Sequence, residues 1–135
     1  MSSRLQLVKR LFEVTMSDGA LAALALVPED VVWRPFASGE TLQGRASLEA
    51  YFSDLERRGG RVEAYPATYE ERGEHVLVTG SARHYPSPSG FRESSLVWVF
   101  SFAGDRLLSQ ACYPTRAEAH AAIARDTRPR ATVAA

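Results

Sequence analysis

The side chains able to do chemistry are few in this chain, and they are scattered. His84 lies on a β-type stretch near an aromatic cluster and is the one candidate general base. Strand parity aligns it with Val76, Val78 and Ala82, next to a Pro-rich turn, so it reads as a partly exposed histidine before it reads as a catalyst. Gln110 and Cys112 share a face of the last β-type stretch. From there Gln110 would offer a neutral donor and acceptor to a carbonyl or hydroxyl group. Cys112 as a nucleophile needs a neighbouring base or positive field, and none can be assigned, so it reads as a buried, inert thiol.

Arg34 could meet an anionic ligand or pair with Glu40 at a rim, a solvated charge being the plainer reading. His75 opens a strand and His120 rides the last helix, both as surface residues. His75, His84 and Cys112 have none of the short spacings that close a zinc site, so no metal is expected. Ser87-Pro88-Ser89-Gly90 lacks the helix start of a phosphate-binding loop, and no cofactor is expected. Between Val76 and Thr115 the only carboxylates are Glu93 and Asp105, one near a strand start and one in a hairpin turn. Acid–base chemistry driven by carboxylates is therefore disfavoured.

Apolar rings are plentiful by contrast. Trp33, Phe36, Tyr51, Leu55, Trp98 and Phe100 could line a pocket or simply fill a core. Within Ser94–Phe102, residues Leu96, Trp98, Phe100 and Phe102 fall on one strand face and Val97 and Val99 on the other, marking a strand covered on both sides. Val97, Val99 and Ser101 are candidates for a homodimer contact through the outer sheet face, because the one closing helix is too short to cover a full sheet face.

Composition narrows the partners. The 135 residues carry 16 basic and 16 acidic side chains, so no summed field favours nucleic acid or an anionic membrane. No apolar run is long enough to cross a bilayer, Leu21–Val27 included. A lone cysteine suits a reducing cytoplasm. The length predicts one domain over 1–124, and the Arg/Pro/Thr/Ala composition of 125–135 predicts a flexible tail.

The elements that position these residues follow from periodicity. Leu5, Val8, Leu11, Phe12 and Thr15 share a helical face. Asp18 is placed to cap a second, short helix over Gly19–Leu26, which Pro28 ends. Val31–Trp33 is a short strand, and Ser38-Gly39 a turn. Leu48, Tyr51, Phe52 and Leu55 give the third helix, stopped by Gly59-Gly60. The period then changes to two, predicting strands at Arg61–Glu71, His75–Tyr85, Phe91–Phe102 and Arg106–Tyr113, joined by loops short enough to require an antiparallel meander. Pro66 suits an edge strand. Thr115-Arg116-Ala117-Glu118 is a capping box for a short C-terminal helix, about Arg116–Ala124. The fold class is α+β: a curved antiparallel sheet wrapped around three N-terminal helices, leaving a cone between them.

Several of these segments together are similar to a known family. They are Val31-Val32-Trp33, Gly44, Tyr51-Phe52, Arg72-Gly73-Glu74-His75-Val76-Leu77-Val78, Trp98-Val99-Phe100-Ser101-Phe102 and Tyr113-Pro114-Thr115-Arg116-Ala117-Glu118-Ala119. Over about residues 5 to 124 the chain resembles the SnoaL-like branch of the nuclear transport factor 2-like superfamily. The resemblance implies the cone-shaped fold and a homodimer; it leaves activity open among isomerases, cyclases, hydrolases, dehydratases and binding modules. At the positions where ketosteroid isomerases of this fold carry a base, a tyrosine and a neutral acid, this chain has Arg34, Leu11 and Trp98. An arginine cannot serve as that base, leucine cannot donate to an oxyanion, and an indole N–H is only a weak substitute for the acid.

The leading expectation is a cone that binds a small, largely apolar organic molecule, with Trp33, Tyr51, Trp98 and Phe100 as walls and Gln110, with His84, orienting it. An enzyme of isomerisation, dehydration or cyclisation would instead use His84 or one of Tyr51, Tyr65 and Tyr113. A dimeric interaction module with a solid cone is the third reading.

Overall fold

The structure is a computed structural model and describes residues 2–36 and 39–126. Helix α1 spans Ser3–Asp18; the side chain of Ser2 caps it by accepting from the Leu5 N–H at 3.1 Å. It buries Val8, Leu11 and Phe12 of the expected face together with Val14, which lies outside that face, while Leu5 and Thr15 are half-buried. The second helix is cut shorter than expected. Asp18 is the last residue of α1 rather than a cap, and Gly19, at φ +99°, turns the chain into the single turn α2, Ala20–Ala23. A 3₁₀ turn, Leu24–Leu26, follows. The helical layer before the meander is thus two full helices and a short corner. The second full helix is α3, Arg45–Arg57, which buries Leu48, Phe52 and Leu55.

The strands are β1 (Val32–Trp33), β2 (Leu42–Gln43), β3 (Arg61–Arg72), β4 (His75–Tyr85), β5 (Arg92–Ala103) and β6 (Arg106–Tyr113). They form one curved sheet in the order β2-β1-β6-β5-β4-β3. The four long strands form the expected antiparallel meander. The sheet as a whole is mixed, a correction to the all-antiparallel expectation: β1 runs parallel to β6, with Val32 opposite Ser109 and Trp33 opposite Gln110. Two paired residues carry too little alternation to announce a strand, and for that reason β2 was not anticipated. Pro66 does lie on the edge strand β3, beside an irregularity between Pro66 and Thr68. There β3 comes so close that a Cβ at Gly80 would sit 2.2 Å from the Tyr65 carbonyl oxygen.

Helix α4, Arg116–Ala124, starts from the capping box: Thr115 Oγ1 accepts from the Glu118 N–H at 3.1 Å. Ala119, fully buried, packs with Leu77, Val97 and Val99 on the outer sheet face, with Tyr113 and Ile123 at the margin. Val97 and Val99 are only 2% and 5% exposed. One short helix is therefore cover enough at these positions, against the expectation that they face a second subunit. Three small or flat contacts suffice because alanine lets the helix approach the valines closely. His75, expected at the surface, is also buried here: its Nδ1 is 2.9 Å from Ser101 Oγ and its Nε2 3.3 Å from Asp126 Oδ2. This row ties the end of α4 to the sheet. The expected turn at Ser38 and the tail beyond 126 lie outside the described residues.

Candidate functional site

The concave face of β5 carries Leu96, Trp98, Phe100 and Phe102 into the main core, where α1 supplies Phe12. The Phe12 ring meets Trp98 edge-on at 4.8 Å and Phe100 at 5.8 Å between centroids, and Trp33 meets Phe100 at 6.1 Å. Edge-on rings hold one another upright and do not flatten into the remaining space. A cavity of about 90 Å³ stays open between the sheet and the helical layer. A water needs some 30 Å³ of liquid volume, and a dry cavity of roughly 150 Å³ takes benzene. This hollow therefore exceeds the needs of one or two waters, and it encloses part of a ring-sized molecule.

Trp33, Phe36, Tyr51, Trp98, Phe100, Gln110 and Cys112 all line it. Strand register explains why positions so distant in the chain converge. Gln110 lies between Trp33 on β1 and Phe100 on β5, and Cys112 is opposite Trp98. Two predicted residues lie elsewhere. Leu55 is buried in the core and borders the neighbouring recess formed with Arg61–Tyr65. His84 lies outside the cavity, edge-on to Phe36 at 6.3 Å, and borders a groove with Pro86, Phe91 and Arg92. Partial burial, then the positive charges of Arg92 and Arg58, hold its pKa below the usual histidine value.

Other lining residues escaped the sequence reading. Leu11, Leu24, Val27 and Phe52 look like any core residues in sequence. Ala20, Ala23 and Ala64 were passed over because small side chains carry no pattern signal, yet they are what keeps the hollow open. Their one legible trace is that Ala20 and Ala23 stand one helical turn apart.

The chemistry available is sparse. Among the described residues no Asp, Glu, His, Lys or Arg side chain lines the cavity. Glu93 pairs with Arg83 at 2.6 Å, and Asp105 accepts from Ser3 Oγ at 2.7 Å, both at the exposed surface. Arg34 is exposed and does not line the cavity; its backbone N–H donates to the Gln110 carbonyl oxygen at 2.9 Å, and it borders an adjoining recess with Cys112. Among the described residues no cluster of three His, Cys, Asp or Glu side chains is positioned to hold a metal ion. No helix is long and apolar enough to cross a membrane.

Four polar side chains remain. Thr15 commits its hydroxyl to the Leu11 carbonyl at 2.8 Å. The Tyr51 phenol, edge-on to Phe52 at 5.0 Å, is held above its usual pKa chiefly by burial, partly offset by Arg58. It stays protonated and can only give or accept a hydrogen bond at neutral pH. Burial likewise pushes the Cys112 thiol up to about 12, against the smaller opposing effects of Gln110 and Arg34. A thiol in that state is no nucleophile. Gln110 is 3% exposed and donates from Nε2 to Cys112 Sγ at 3.0 Å; its Oε1 is buried without a hydrogen-bond partner among the described residues.

No family model and no curated protein sequence matches the chain. Solved structures do match. An NTF2-like protein of unknown function from Burkholderia pseudomallei superposes with a TM-score of 0.70 at 23% identity, over 88% of this chain and 95% of that one. TerC, co-crystallised with polyporic acid, gives 0.70 at 15% identity over 91% and 99%. A putative SnoaL-like polyketide cyclase from Jannaschia sp. gives 0.62 at 17% identity over 91% and 92%.

Proposed function

We propose that this chain, whose fold is that of NTF2-like and SnoaL-like proteins, is a receptor for a small, largely apolar organic molecule held in the cone. The observation that carries this reading is an aromatic-walled cavity of about 90 Å³ that its own helices leave unfilled. An enclosed apolar space with few polar groups is the usual form of a small-molecule site. Burying one ring face there would gain on the order of 25 cal/mol per Å² of apolar surface. That TerC was crystallised with polyporic acid is in keeping with an organic occupant for this fold.

Catalysis by this cavity would rest on Tyr51, since His84 lies outside it and Cys112 is held as the thiol. A phenol whose pKa is raised is a poor acid and no base at neutral pH, so Tyr51 serves better as a hydrogen-bonding wall than as a proton-transfer group.

Native mass spectrometry of the protein purified from its own cell tests the reading. A retained organic mass is expected, together with its loss in Ala23→Leu and Ala64→Leu, which fill the hollow from two sides. Bare protein by mass, combined with no tryptophan emission change from Trp98 across a series of one-ring compounds, would sink it.

A further inference from the structure

We infer that the molecule held in this cavity is neutral and presents a hydroxyl, phenolic or enolic, to the side-chain oxygen of Gln110. The inference rests on the receptor reading and specifies its ligand class.

The side chain of Gln110 is fixed at both ends of its reach. Its strand is paired on two sides, with Trp33 and Phe100 as neighbours, and its Nε2 donates to Cys112 Sγ at 3.0 Å. Oε1 is left buried, with under 1 Å² of accessible surface and no partner among the described residues, on a residue that lines a cavity otherwise walled chiefly by rings and aliphatic groups. An amide oxygen has two lone pairs, and leaving both unmet away from water is costly. Buried polar groups are nearly always satisfied, and an exception in a cavity marks a place where something else completes the bond. A water competes for this oxygen: ordered waters need two to four polar partners, and besides Oε1 the lining offers the Tyr51 hydroxyl and the lone pairs of Thr15, whose proton goes to the Leu11 carbonyl. A hydroxyl on a carbon ring needs only the one acceptor, because the ring itself packs against Phe100, Trp98 and Trp33.

Charge narrows the class further. Among the described residues no ionisable side chain other than Tyr51 and Cys112 lines the cavity, and both stay protonated. An ammonium or carboxylate entering it would lose its hydration with no counter-charge to meet. The ligand is therefore a donor without a charge, with a single ring in the enclosed part and any extension directed at the mouth.

Calorimetric titration of the full chain with phenol, toluene and anisole tests this. Phenol and toluene have nearly the same shape, and anisole can accept but not donate. The reading is the phenol-to-toluene affinity ratio, compared between wild type and Gln110→Leu, so that the different hydrophobicity of the probes cancels. The ratio should fall about tenfold in the variant, as expected for one lost buried hydrogen bond, with toluene binding kept. Gln110→Met preserves chain length and should give the same fall if the leucine variant folds poorly. An unchanged ratio with all probes still bound overturns the hydroxyl assignment and leaves the receptor reading standing. Anisole weakened by the variant in place of phenol also overturns it, since the free end of the amide would then be the donor. Failure of every probe to bind wild type and variants alike removes the receptor reading and the inference with it.

Discussion

Strand β5 (Arg92–Ala103) has two apolar faces, and the protein treats them differently. Outside, Val97 and Val99 are covered by the fully buried Ala119 of a nine-residue helix, with a polar-edged recess beside it between Val99, Ser101, Ala122 and Ile123. Inside, Trp98 and Phe100 meet Phe12 edge-on and leave a hollow. The difference lies in side-chain shape. Valine and alanine let the helix lie directly on Val97 and Val99, whereas upright rings flanked by Ala20, Ala23 and Ala64 leave space between them. A single strand thus supplies a structural seam on one side and a cavity wall on the other.

The sharpest way to break this comparison is truncation on the covered side. Leu77→Ala, under α4, should cost about 2–5 kcal/mol in urea unfolding, as for other fully buried leucines. A loss below about 1 kcal/mol would mean that α4 does not pack on the sheet as described. On the hollow side, Cys112 should react with iodoacetamide on the order of a thousandfold more slowly in the native than in the unfolded chain, because its pKa is moved from 9.0 to about 12. Labelling at similar rates in both states would show the hollow to be wet.

Enlarging an alanine separates the two sides directly. Ala119→Leu overpacks the seam and should cost about 1–3 kcal/mol, while Ala23→Leu enters free space and should cost less than about 1 kcal/mol in the same assay. Gln110→Leu removes an unpaired buried oxygen and should make the free protein more stable by about 1 kcal/mol, read as a higher urea midpoint at constant slope. Destabilisation would show that the amide is satisfied. The smallest effect belongs to His84. Its folded pKa is lowered from 6.5 by burial, so the unfolded chain binds the proton more tightly. Its contribution to stability is full above that value and is lost as pH falls through the lower folded one. NMR titration should find the depressed midpoint, unmoved when phenol fills the cavity; a shift on binding would return His84 to the site.

Much of this architecture was legible from periodicity. The alternation in Ser94–Phe102 assigned each side chain of β5 to the correct face, and the capping box placed the start of α4. The walls Trp33, Phe36, Tyr51, Trp98 and Phe100 were legible as aromatic residues on core-facing positions. Leu55 was misplaced because helical spacing gives a face and not the depth along it. His84 shares the parity of Val76, Val78 and Ala82 and so the concave face, but it stands opposite Arg92 near the end of β4, beyond the reach of the cavity, and parity gives a face without the distance along it.

What the sequence determined by itself is local: which residues form helices and strands, which face of each is apolar, and that acids are scarce along the late strands. These follow from spacing, which is a property of a few consecutive residues. Only the tertiary structure decided that β1 lies parallel to β6, which sets Trp33 beside Gln110 across some 75 positions of chain (about the separation of the two register partners). It also decided that α4 covers Leu77, Val97 and Val99 on the outer face, and that one amide oxygen inside has no partner among the described residues. Those outcomes depend on how residues far apart fill or fail to fill a shared volume, and no short-range pattern encodes a volume.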